Sequence, residues 1–151
     1  MFDVNKVTDK LGKPIDEGIK KMVLILNQIG FRTAMSCEGH KHSEGYTFPW
    51  VDIEAEPLKG WRDNEEKKKR WSQENLWQAR RMITLLDEFY RERQLLFLGL
   101  MLSLDWRGIF GAFRLQSMEV RTLRILTKTE QEKKYQLCVK EMDDFIDFLK
   151  K

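Results

Sequence analysis

The chain has 151 residues, 42% of them hydrophobic and 34% charged, with a net charge of +3. That length makes one domain, 1–151, with a core large enough to need no staple, and the composition is far from that of a disordered chain. The mild basic excess permits an anionic partner without demanding one, and two cysteines, Cys37 and Cys138, are too few for the disulfide framework of a small secreted domain.

The first thirteen residues read as an extended arm closed by Gly12 and Pro14. They hold no apolar signal-like run, so the expected compartment is the reducing cytoplasm. Ile15, Ile19, Met22, Val23, Leu26 and Ile29 recur at helical spacing, and Gly30 is placed to end that helix. Phe31 to Cys37 is predicted as a strand with Phe31, Thr33, Met35 and Cys37 on one face. A polar loop, Glu38 to Pro49, leads to a second strand in which Val51, Ile53 and Ala55 alternate with Asp52 and Glu54.

From Arg62 to Arg93 no glycine or proline interrupts a long helix with Trp71, Leu76, Ile83, Leu86, Phe89 and Tyr90 on its apolar side. Leu95 to Leu104 and Phe110 to Leu115 read as strands joined by a hairpin turn at Asp105-Trp106-Arg107-Gly108. The Leu95 to Leu104 run is too short to span a bilayer. Val120 to Leu126 reads as a further strand. Thr129-Glu130-Gln131-Glu132 has the pattern of a capping box opening a last helix. The expected fold is α+β: a mainly antiparallel sheet of about five strands with three helices, including a long central one and a C-terminal one.

Chemistry concentrates in Ser36-Cys37-Glu38-Gly39-His40-Lys41-His42, which holds both histidines of the chain. The segment lies where a strand ends and a glycine-bearing turn begins, so backbone N–H groups there have no ladder partner, and Gly39 allows a positive φ and close approach of a ligand. Four functional readings stand beside a purely structural one, in which Cys37 is a core residue and the histidines are solvated. Cys37, His40 and His42 offer zinc-type ligands, with Glu38 or Glu44 completing a set. Cys37 activated by a histidine is a nucleophile. Glu38 or His40 is a general acid or base. Ser36, Cys37, Gly39 and His40, with Lys41, can also hold a small polar or anionic, nucleotide-like ligand without chemistry.

Trp50, after Pro49, offers a flat wall for a ring or a cover for the sheet edge. Arg114 and Arg124 are candidates to pair with phosphate or carboxylate. Trp61, Arg62, the run Lys67-Lys68-Lys69-Arg70-Trp71, Trp77, Arg80 and Arg81 have the look of a nucleic-acid surface. The acids Glu65 and Glu66, four residues before Lys69 and Arg70, fit a solvated helix better. The tryptophan-bearing helix also raises a protein-interaction module and a homo-oligomer.

The stretch Pro14-Ile15-Asp16-Glu17-Gly18-Ile19, then Gly30-Phe31-Arg32-Thr33-Ala34-Met35-Ser36-Cys37-Glu38-Gly39-His40 and Pro49-Trp50-Val51, resembles small bacterial and phage proteins with a Ser-Cys-Glu-Gly-His signature. No activity comes with that resemblance. The same stretch is more loosely similar to the methyltransferase-like family of tRNA wybutosine synthesis, in which a strand ends in Ser-Cys-Ser-Gly-Arg. Ser36, Cys37 and Gly39 match, while Glu38 and His40 replace the family's serine and arginine. That similarity implies S-adenosylmethionine and a modified guanosine. The expectation is a binding site for a small polar or anionic ligand at this strand end. The enzymatic alternatives are a nucleotide- or RNA-modifying transferase and a metal-assisted hydrolase.

Overall fold

The computed structural model describes residues 7–151. Three α-helices, α1 (Glu17–Gln28), α2 (Glu65–Arg91) and α3 (Lys128–Leu149), pack against a four-stranded antiparallel sheet. Its strands are β1 (Thr33–Cys37), β4 (Trp50–Ile53), β5 (Leu102–Arg107) and β6 (Ala112–Ser117), in the order β1-β4-β6-β5. A two-stranded hairpin, β2 (Lys41–His42) and β3 (Gly45–Tyr46), stands apart from it. The α+β reading holds. No described helix is long and apolar enough to cross a membrane.

Alternation decides which sheet face is covered. Val51 and Ile53 of β4 pair with Leu115 and Phe113 of β6. These four side chains are fully buried, in one cluster with Met22 and Leu26 of α1, Met82 of α2 and Phe145 of α3. The intervening residues point to the other face, which among the described residues carries none of the α-helices of this core. There Arg114 makes a bidentate ion pair with Asp52 (2.6 and 2.9 Å), and Asp105 binds Gln116 and Arg121.

Several elements differ from expectation. β1 carries an irregularity between Thr33 and Met35, so Ala34 joins Phe31 as a buried residue and the simple alternation along the strand is lost. The apolar run from Leu95 is strand only from Leu102; Leu96 and Leu98 are exposed, and Leu98–Leu100 is a 3-10 turn. Asp105, Trp106 and Arg107 belong to β5, and the turn is residues 108–111, where Gly108 and Gly111 take positive φ. Met118–Ile125 is a 3-10 helix, not a strand: Ser117 caps it by accepting from Glu119 N–H, and Val120, Leu123 and Leu126 recur every three residues, the 3-10 period. The pattern Thr-x-x-Glu occurs twice, and the fold uses Thr127 with Glu130 rather than Thr129 with Glu132. Of the expected N-terminal arm, residues 1–6 lie outside the described residues. The rest turns at Gly12 and runs beside β1, with Lys10 N–H bonded to Ala34 O at 2.8 Å.

Candidate metal centre

β1 stops at Cys37 because the chain must turn at Gly39. Its φ is +78°, and a Cβ there would sit 2.5 Å from Thr47 O and 2.8 Å from the Tyr135 ring. Beyond the turn, His40 N–H donates to Thr47 Oγ1 (2.9 Å) and Thr47 N–H donates to His40 O (2.8 Å). The β2–β3 hairpin is fastened to α3 by Gln131. Its Oε1 accepts from Tyr46 N–H at 2.8 Å, while its Nε2 donates to Leu123 O and Leu126 O, each at 3.1 Å. The Lys128 ammonium donates to Ser43 O, and the Tyr135 hydroxyl donates to Glu38 O at 3.3 Å. The backbone that carries His40 is therefore held from both sides.

The start of α1 brings a residue that the motif alone does not contain. Asp16 occupies the N-cap position, yet its side chain makes no capping bond. Glu38 does that work instead: its Oε2 accepts from Gly18 N–H at 2.6 Å, at the positive end of the helix. Gly18 is what admits it, since a Cβ there would lie 2.5 Å from Oε2. The Asp16 carboxylate turns towards the strand end. Its Oδ2 accepts from Glu38 N–H at 3.4 Å and lies 3.6 Å from His40 Nε2.

Asp16, Cys37 and His40 thus each offer one donor atom, and the three atoms lie within 4.8 Å of one another. Ligand atoms around a tetrahedral zinc lie about 3.3–3.8 Å apart, given bonds of ~2.0–2.3 Å, so small side-chain adjustments close the set. Two outer contacts already have the form such a site uses. Gly39 N–H donates to Cys37 Sγ at 3.4 Å, and Glu38 Oε1 stands 3.9 Å from His40 Nδ1, the ring nitrogen turned away from Asp16. Partial burial raises the Cys37 thiol above its ordinary pKa; the Gly39 N–H opposes this, and the negative charges of Asp16 and Glu38 add to it. The cluster is partly exposed, with 39% of the Asp16 side chain and 47% of the His40 side chain open to solvent. A cation here meets two carboxylates and a thiol, whereas a bare anion meets like charge.

The other expected site residues are placed as follows. Ser36 pairs with Val51 across β1–β4, on the helix-covered face, whereas Cys37 pairs with Trp50 on the open one. His42 stays outside the donor set: its ring centre is 6.3 Å from that of His40, and its Nε2 is 3.5 Å from Thr47 Oγ1. Asp16 takes the place that spacing assigned to it. Trp50 is a neighbour of Cys37, but the Arg114 guanidinium lies 3.5 Å over its ring. Arg114 is itself neutralised by Asp52. Arg124 is exposed on the 3-10 segment and lines a different, shallow groove with His42, Tyr46 and Gln131. In α2, Trp71 is buried against Trp61 and Phe110, and Arg81 binds Ile29 O at 2.6 Å, so part of the basic and aromatic pattern is structural.

Sequence reasoning missed Asp16. Its only signal was an aspartate just before a helical apolar run, which reads as a cap. Comparison of the chain with protein-family models, curated proteins and solved structures finds no match in any of the three, so the site is read from its own chemistry.

Proposed function

We propose that this protein binds one divalent transition-metal ion, best zinc, through Asp16, Cys37 and His40, and acts as a metal-assisted hydrolase on a small polar substrate. The observation that carries this reading is the convergence of a carboxylate, a thiol and an imidazole from two separate elements within 4.8 Å. Sulfur and imidazole select against magnesium and calcium, which prefer all-oxygen sites. Three protein ligands leave a tetrahedral ion one position for water or substrate, the arrangement of catalytic rather than structural zinc. His40 Nε2 lies on the Asp16 side, and Glu38 Oε1, 3.9 Å from Nδ1, is placed to orient the ring after a small rotation.

Held by Asp16, Cys37 and His40, a zinc ion would supply Lewis acidity and an acidified water for hydrolysis of an ester, amide or phosphoester, with Glu38 beside His40 to take up or return a proton. The reading also reconciles a mildly acidic cluster with a polar or anionic ligand. The two charges of a bound ion would balance Asp16 and a deprotonated Cys37, so the residues around it would no longer repel an anionic substrate.

Cobalt(II) titration tests this directly. One equivalent should bind and give a thiolate-to-cobalt charge-transfer band, and the zinc-loaded protein should hydrolyse members of an ester and amide panel. Cys37→Ala, Asp16→Ala and His40→Ala should each weaken binding by more than the ~10–100-fold typical of losing an outer partner, and abolish turnover. His42→Ala should bind as the parent does. No band at stoichiometric cobalt, or equal losses in His40→Ala and His42→Ala, would overturn the site. A full band with no turnover across the panel would overturn the hydrolytic role.

A further inference from the structure

The two outer strands of the sheet are treated differently. β1 is covered by the N-terminal arm, through Lys10 N–H to Ala34 O, and the arm is folded back on itself by the bridge between Thr8 and Pro14. β5 has β6 on one side and, among the described residues, no strand on the other. Met118 N–H bonds Met101 O on the β6 side, whereas Leu102 N–H turns outward to the Tyr90 hydroxyl at 2.8 Å. By strand alternation Leu104 and Trp106 also turn their N–H and C=O groups outward. Among the described residues no hydrogen bond from another element reaches them. An uncovered edge of this kind pairs with another strand unless something prevents it. The surroundings are apolar: Trp106 is 56% exposed, Ile83 53% and Ile109, at the tip of the β5–β6 hairpin, 89%.

We propose that two copies of this chain join edge to edge through β5, about a two-fold axis at Trp106, to make one continuous eight-stranded sheet. The parity of β5 allows an antiparallel self-pairing centred on residue 104, 105 or 106. Centring on Asp105 sets that carboxylate against its own copy. Centring on Leu104 sets it against Ser103. Centring on Trp106 sets Asp105 opposite Arg107 of the partner subunit, and the same pair forms again across the axis. Asp105 binds Gln116 and Arg121 through one oxygen each, which leaves it lone pairs for a further donor.

A second, independent feature selects the same register. Centring on residue 106 brings the partner's Ile109 opposite Ser103. That stretch of β5 borders a groove of about 380 Å³ lined by Ile83, Leu86, Tyr90, Met101 and Leu104. The most exposed large apolar side chain of the hairpin thus meets an apolar groove of matching place on the copy, twice per dimer. β5 and β1 are opposite edges of the sheet, so both Asp16–Cys37–His40 sites stay open in the dimer.

Sedimentation equilibrium on the full chain should give twice the 18.1 kDa chain mass. Arg107→Asp places aspartate against aspartate twice, and Ile109→Asp places a charge in each groove. Each should weaken self-association about tenfold or more, with an unchanged circular dichroism spectrum. Lys13→Asp, exposed in the arm beside β1 at the opposite edge of the sheet, should have no effect. Register is read by oxidative cross-linking in a Cys37→Ala background. Trp106→Cys should form a disulfide dimer, since opposed bonded residues stand about 5.5 Å apart, within disulfide reach, and Ser103→Cys should not. A monomer at 100 µM wild-type protein, a dimer indifferent to both aspartates, or cross-linking at Ser103 instead of Trp106 would each overturn the proposal.

Discussion

The two cysteines occupy adjoining regions with opposite characters. Cys138 is 1% exposed, in a small apolar cluster with Phe48 and Leu100, flanked by Tyr46, Phe97 and Tyr135. Burial pushes its thiol up to about 11. Cys37 lies half-buried at a strand end, beside two carboxylates and a histidine, with a backbone N–H aimed at its sulfur. The first region is packing, and the second gathers groups able to carry chemistry. The difference teaches that a thiol's role here follows from which polar groups converge on it, not from burial alone, since burial raises both. The regions are also coupled: Tyr46 and Tyr135 roof the apolar cluster, and Tyr135 holds the backbone of Glu38.

The largest expected effect comes where the two regions touch. Gly39→Ala forces an alanine to positive φ, with its Cβ against Thr47 O and the Tyr135 ring. It should cost more than ~1–2 kcal/mol of stability and loosen the Cys37–His40 turn, so both the urea midpoint and metal binding fall. An unchanged midpoint would show that the turn is not what holds the site. The cysteines themselves come next. Cys138→Ala should cost about 1 kcal/mol through the small cavity left in a packed cluster, and keep full metal affinity. Cys37→Ala should move stability by less than ~0.5 kcal/mol and lose the metal. With iodoacetamide at pH 8, Cys37 should be alkylated in the folded protein and shielded by zinc, while Cys138 reacts only after unfolding. Equal labelling of the two thiols would erase the contrast.

What could be read in advance follows the length of the signal. β4 and the three helices were legible, because Val51, Ile53 and Ala55, or Met22, Val23 and Leu26, repeat the period of the element they form. The stretch Leu95 to Leu104 was misread because apolarity alone carries no period; Leu96 and Leu98 face solvent, and Gly99 is there to leave room for the Glu119 carboxylate. Arg121 and Arg124, on opposite faces of a strand, share one side of the 3-10 helix that actually forms. The candidate site was legible as far as Cys37, Glu38, Gly39 and His40, because they are contiguous. Asp16 and Gly18 were not, because their part in the site arises only when α1 packs against β1.

That packing also predicts a separation of stability from function. Gly18→Ala replaces a glycine in the first turn of α1 by the best helix former, a change worth about 0.5–1 kcal/mol in the helix's favour. The new Cβ takes the place of Glu38 Oε2, so the carboxylate must leave Gly18 N–H and can no longer steady His40. The melting temperature should stay level or rise slightly while cobalt affinity drops about 10–100-fold. Affinity equal to the parent's would mean that Glu38 does not orient the histidine.

The smallest effect expected is that of Tyr135→Phe, which removes a single hydroxyl. Its bond to Glu38 O is long at 3.3 Å and part-buried, so the loss should be at the low end of the ~0.5–1.5 kcal/mol usual for a hydrogen bond. For a chain of this size that is about 1–3 °C in melting temperature. The ring itself stays, with its 5.4 Å contact to Tyr46 and its place above Gly39, so the turn keeps its shape. Metal stoichiometry should not change, and affinity should fall by no more than a few-fold. A collapse of metal binding in this variant would mean that the apolar cluster reaches the site through the hydroxyl rather than through packing, and the division between the two regions would have to be redrawn around Tyr135.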